Sequence, residues 1–212
     1  MSLADQPYAH LLRPHTGPLR RDERYDTVHF DGLELADGQA GGALFLECAF
    51  TDVSLTELKL RQARFTEVWL ERCRLLACEL VESEWQDASV LDGVLAGVSA
   101  YGAQLRRVTV RGCKLEAVNL RGAVLRDVVF EDCRLHDVDF GGARLTGVSF
   151  PGSALEEVRF GGATLTGTDL RGATRLELPD GHEGLRGALV SAAQLIELAP
   201  QFARALGVEV RD

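Results

Sequence analysis

Every fifth residue from Phe30 to Leu170 is apolar, and the register holds over 29 consecutive positions. Twenty-four of the 29 are Leu or Phe; the others are Ala40, Trp85, Val90, Ala100 and Val110. With 46% apolar residues in the whole chain, chance would give such a run about once in ten billion trials. Two positions before each large residue lies a small or aliphatic one, as in Val28, Ala43, Cys48, Ala63, Cys73, Val108, Ala123, Val138 and Ala163. No charged residue between Asp26 and Asp169 occupies either position. A period of five fits neither the helical period of about 3.6 nor the strand period of about 2. Two inward residues and three outward ones per block describe one short side of a coil. A single coil cannot bury its own apolar face, so the pattern predicts stacked coils around one continuous core.

The blocks Val118-Asn119-Leu120-Arg121-Gly122, Val138-Asp139-Phe140-Gly141-Gly142 and Ala163-Thr164-Leu165-Thr166-Gly167 resemble the pentapeptide-repeat family, whose pattern is A(D/N)LXX. The resemblance covers residues 26–175. It implies an all-β solenoid, a right-handed quadrilateral β-helix of seven to eight coils with four blocks per coil. At about 4.8 Å between coils the rod is expected to be about 36 Å long. The residue before each centre, Asp or Asn in the family pattern, matches only at Asn119, Asp139 and Asp169.

The ends differ. Residues 1–25, with Pro7, Pro14, Pro18 and a charged run from Arg20 to Arg24, are expected to be an irregular N-terminal segment, Tyr25 plugging the first coil. Arg175 breaks the centre pattern, and Leu178-Pro179-Asp180-Gly181 signals a loop. Residues 176–212 are expected to form a C-terminal cap and dimerisation element. Ser191 with Gln194 makes a capping box opening a helix through Leu195, Ile196 and Leu198. A second short helix is expected from Pro200 through Phe202 and Leu206, ended by Gly207, with Val208 and Val210 in a terminal strand. Leu195, Leu198, Phe202 and Leu206 are the expected dimer contacts.

Catalytic chemistry finds no foothold. The five Cys residues, Cys48, Cys73, Cys78, Cys113 and Cys133, all fall in the small slot, where a free thiol acts as a small hydrophobe. His10, His15, His29, His136 and His182 are scattered without metal-ligand spacing. The glycines end their blocks, where turns need positive φ, and form no phosphate-binding motif. Gly97-Val98-Ser99-Ala100-Tyr101 lacks the last glycine of a nucleophile elbow. Paired carboxylates such as Glu131-Asp132 and Glu156-Glu157 lie on a convex surface. No metal, cofactor or small-molecule substrate is expected, and no enzyme activity.

Charge supplies the functional reading. A net charge of -9 argues against direct nucleic-acid binding. With four blocks per coil, the adjacent faces centred on Phe30 and Leu35 together carry 14 acids against 7 bases, and the other two faces 9 against 9. The expected partner-binding strip is Asp31, Glu34, Asp37, Asp52, Glu57, Glu71, Asp92, Glu131, Asp132 and Asp137. A basic belt over residues 106–126, broken by Glu116, interrupts it. Met1–His15 is polar and no run of about 18 apolar residues occurs, so neither a leader nor a membrane span is expected, and a cytoplasmic location is. The 21 Arg against 2 Lys suggest a GC-rich bacterial source. In length, acidic side and apolar C-terminus the chain resembles the quinolone-resistance subset of the family (the Qnr and MfpA proteins), and its unbroken register is closer to the smooth MfpA form. That resemblance implies a non-enzymatic, dimeric DNA mimic that binds DNA gyrase or topoisomerase IV, inhibiting it or protecting it from a poison. The alternative is a scaffold or interaction module with an unrelated partner.

Overall fold

The structure, a computed structural model, describes residues 2–179 and 182–209. It is a parallel β-solenoid of about eight turns. Three sides of the coil are continuous sheets of short strands, two with eight strands and one with seven. The fourth side, centred on Ala40 and its successors, is joined by isolated bridges such as Gln39 to Lys59 and Asn119 to Asp139. The register is one coil per 20 residues: Phe30 lies over Phe50, Leu35 over Leu55, and Phe45 over Phe65. Period five thus becomes four sides per turn, and side chains one coil apart stack at strand spacing.

Inside, equivalent centres form ladders. Tyr25, Phe45, Phe65 and Trp85 stack in sequence with ring centroids 5.1, 4.8 and 3.9 Å apart. Shorter stacks join Phe30 to Phe50, Phe130 to Phe150 and Phe140 to Phe160. Between the two aromatic regions the centres shrink to Val90, Ala100 and Val110, and there the core holds an apolar void of about 70 Å³ bordered also by Trp85, Leu105 and Phe130. At about 24 cal/mol per Å³ it costs on the order of 1–2 kcal/mol. Ala100→Leu is expected to raise the unfolding free energy by about 1 kcal/mol; a lower denaturation midpoint would show that the void has no room for the added atoms.

The small slot does more than fill space. Each of the five thiols is buried and donates to a carbonyl one coil earlier: Cys48 to Tyr25, Cys73 to Phe50, Cys78 to Leu55, Cys113 to Val90 and Cys133 to Val110, at 3.2–3.5 Å. Ser153 repeats the contact to Phe130 at 2.9 Å. Burial pushes the Cys48 and Cys73 thiols up to about 11, away from the reactive thiolate. All five are expected to resist a thiol reagent such as Ellman's in the native protein and to react in denaturant. Prompt labelling of the native protein would contradict this packing.

The turns are uniform. The last residue of nearly every block takes a left-handed conformation, whether glycine, as at Gly152, or not, as at Asp37, Asp52, Glu57 and Asp132. Glycine alone was not required, because the tight corner imposes positive φ on whatever residue falls there.

Both ends depart from expectation. Within the N-terminal segment expected to be irregular, Arg13–His15 is a strand paired with Val28–Phe30, and Leu3–Asp5 and Ala9–Leu11 are single 3-10 turns. Tyr25 is buried beneath His15, 5.5 Å between ring centroids. At the other end Arg175–Leu176 pairs one residue out of step, Leu176 opposite Leu155. This slip puts Leu176 in the centre slot that Arg175 would otherwise occupy. The coil spacing then continues, with Leu189 bridging Asp169. One helix, α1, Ala192–Ala205, follows with Pro200 inside it, where two short helices were expected. Ser191 and Gln194 form the expected capping box, at 2.9 and 3.2 Å. Val208 lies outside any strand, and Val210 lies outside the described residues.

Candidate functional site

The acids of the strip occupy two adjacent sides of the solenoid. Asp31, Glu71 and Glu131 lie in strands of the seven-stranded side, and Asp52, Asp92 and Asp132 in the turns after its strands. Glu34 lies in a strand of the next side, with Asp37, Glu57 and Asp137 in its turns. All ten project outward, but their surroundings divide them.

In the middle of the strip the charge is partly cancelled. Arg72 donates two hydrogen bonds to Asp52, both 2.8 Å, and lies 3.0 Å from Glu71. This guanidinium holds the Asp52 carboxyl below the usual range. Arg159 likewise pairs with Asp137. The stacking explains both: outward residues one coil apart are neighbours, so an Arg about 20 residues beyond an acid lands on it. Among the described residues Asp31, Glu34, Asp37, Glu57, Asp92, Glu131 and Asp132 have no ion-pair partner. Six of these, all but Glu131, are exposed. Four of the six, Asp31, Glu34, Asp37 and Glu57, fall in the first two coils. Asp31 and Glu34 flank the corner between the two sides, and Asp37 and Glu57 lie at the next corner, where the Leu35 side turns toward the Ala40 side.

The basic belt divides in the same way. Arg107 is spent on Asp87, and Arg121 lies 3.6 Å from Asp139. Arg106, Arg111, Lys114 and Arg126 carry no ion pair among the described residues. Arg106 and Arg126 are register partners on the Phe45 side.

The expected dimer face splits in two. Leu198 is 2% exposed in the core and Phe202 packs partly against it, so both seal the rod end. Leu198 is thereby removed from the surface on which the sequence placed it. Leu195 and Leu206 are 51% and 79% exposed, and Ile196, absent from the expected set, is 74% exposed. At about 100° per residue, Ile196 lies opposite Gln194 and Leu198, whereas Leu195, about 60° from Leu198, is on the flank of the buried face; a helical wheel of the sequence would have set Ile196 apart. The buried Gln194 was missed as an anchor: its amide donates to the carbonyl of Leu170 at 2.8 Å, satisfying an end of the last coil that stacking leaves open.

Among the described residues no cluster of three or more His, Cys, Asp or Glu could hold a metal ion, and no helix is long and apolar enough to cross a membrane.

Residues 83–160 match the family model for the pentapeptide repeat region. No curated protein matches the chain. Among solved structures, HetL, a pentapeptide-repeat protein involved in heterocyst differentiation regulation from the cyanobacterium Nostoc sp. strain PCC 7120, is 17% identical, with TM-score 0.50, 82% of this chain covered and 86% of that one. A trypsin-treated form of QnrB1, a plasmid-mediated fluoroquinolone resistance protein, is 16% identical, with TM-score 0.51 and coverage of 95% and 98%. At these identities both likenesses speak for the fold.

Proposed function

We propose that the chain, whose residues 83–160 match the pentapeptide repeat region, is a pentapeptide-repeat protein and a non-enzymatic, partial DNA mimic whose partner is DNA gyrase or topoisomerase IV, inhibited by it or protected from a quinolone or another poison. The observation that carries this is the group of exposed, unpaired carboxylates Asp31, Glu34, Asp37 and Glu57 in the first two coils. Such a group suits a protein surface built to receive phosphates. The scale fits a partial mimic: duplex DNA holds roughly 21 charges in about 36 Å, and the two acidic faces have a third of that. Charge of this size steers encounter and register more than it sets affinity. QnrB1 is a fluoroquinolone resistance protein, which makes the quinolone the first poison to try. The exposed Leu195, Ile196 and Leu206 would pair with a second copy, doubling the length of the acidic side.

A second reading is an interaction module for an unrelated partner. It is favoured by Arg111 and Lys114, which interrupt the two acidic sides with uncompensated positive charge, and by Arg106 and Arg126 on the Phe45 side. Supercoiling by purified gyrase, with the protein titrated in and with or without a fluoroquinolone, separates the two. Inhibition or relief of poisoning at micromolar protein supports the first reading; an unaffected gyrase supports the second.

A further inference from the structure

On the seven-stranded side, three slots that should face solvent hold apolar residues: Ala49, Trp69 and Leu91 are 0%, 1% and 4% exposed. They form a small cluster of their own outside the rod, covered by Leu3 and Leu12. Tyr8, between them in sequence, is buried as well. Residues 2–12 therefore lie as a strap across the outer wall, over a patch centred on Trp69 and spanning three coils.

Among the described residues the strap is held to the rod by this apolar contact alone. Its backbone hydrogen bonds, Asp5 to Ser2, Gln6 to Leu3, Ala9 to Gln6, Leu11 to Tyr8 and Leu12 to Ala9, are all internal, and the first bond to the rod is made by Arg13 to Thr27. Among the described residues none from 2 to 12 makes an ion pair with the rod. Charge works against the seat. The strap contains no Lys or Arg and carries Asp5. The ground around it holds Glu47 and Glu67, close enough to act on the Tyr8 phenol, with Asp52, Glu71 and the unpaired Asp92. Arg72, the base nearest this patch in sequence, is already engaged by Asp52 and Glu71. Segments with few outside hydrogen bonds open at low cost.

We propose that residues 2–12 are a displaceable strap over a docking patch made of Ala49, Trp69 and Leu91, and that the patch takes a partner segment that is apolar like the strap but basic. Such a segment keeps the burial of Trp69 and adds attraction to the surrounding carboxylates, which the strap cannot. The proposal stands apart from the topoisomerase reading, because it concerns a different part of the acidic side and a peptide rather than a DNA-like fit.

The test uses the full chain with Trp85→Phe, so that Trp69 is the sole tryptophan. The probe is a synthetic peptide of residues 2–12 carrying Asp5→Lys and His10→Lys, with binding read from Trp69 emission. Adding Leu3→Asp and Leu12→Asp to the protein should release the strap and tighten peptide binding at least 10-fold, and the unaltered peptide should bind the released protein more weakly than the basic one. Equal affinity for strapped and released proteins, or no binding to either, would overturn the proposal. Should the double variant fail to fold, hydrogen exchange on the unaltered chain decides: the amides of 5–12 should exchange at least 100-fold faster than those of Val28–Asp31, and equal protection would show a fixed part of the wall.

Discussion

Leu198→Asp is expected to unseat the C-terminal cap and cost about 4 kcal/mol or more, while Ile196→Asp on the opposite face of the same helix leaves stability within about 0.5 kcal/mol. Leu198 is buried against the last coil, so the new carboxylate would have to shed its water without a partner. Ile196 is already in solvent, and its replacement acts only on contacts with another molecule. Thermal melts and sedimentation on the two variants separate folding from assembly. Loss of a dimer in Ile196→Asp with an unchanged melt would place the interface on the outer face of α1. An unchanged melt in Leu198→Asp would contradict the seating of the cap.

Phe45→Ala should be the more damaging change to the rod itself. Phe45 stacks between Tyr25 and Phe65 and meets Phe50 edge-on at 5.5 Å, so truncation opens a void in the middle of a ladder. Removing a buried Phe costs about 3–5 kcal/mol, a fall in Tm on the order of 10 °C for a chain of this size. Thr66→Ala, one residue beyond Phe65 and facing outward, should leave Tm within about 2 °C. Because each coil touches only its neighbours, hydrogen exchange in Phe45→Ala should rise first around coils one to three. A uniform rise along the chain would mean that the rod unfolds as a single unit.

The sequence was legible wherever one residue type answered one geometric demand. Large centres and small slots at a fixed spacing leave no other packing, and the five cysteines read correctly because the slot accounts for each of them. What escaped were features that depend on neighbours 20 residues away or on the chain ends. Trp69 and Leu91 looked like ordinary outward positions, since nothing local announces that residues 2–12 return to cover them. The pairing of Arg72 with Asp52 follows from coil spacing and was in reach, but a sum of charges over a face hides it. Leu198 was assigned to the surface with Leu195 because both are apolar helix residues about 60° apart on the wheel; only the seating of the helix on the last coil distinguishes the core contact from the exposed one. The slip at Arg175 was visible as a broken pattern, whereas its resolution by Leu176 required the last coil to be seen closing.

The unpaired carboxylates of Asp31, Glu34, Asp37 and Glu57 are central to the proposed function, and the turn geometry offers a clean way to erase their charge. Asp37 and Glu57 sit at positive φ, where glycine is more comfortable than either acid, so Asp37→Gly and Glu57→Gly remove charge without adding backbone strain. Combined with Asp31→Asn and Glu34→Gln, they should leave the melt unchanged. The decisive measurement is competition: fluorescently labelled protein bound to gyrase, titrated with linear duplex DNA. DNA is expected to displace the unaltered protein, and the four-fold variant to bind at least 10-fold more weakly. A ternary complex of gyrase, DNA and protein, or full-strength binding by the variant, would contradict the proposed function.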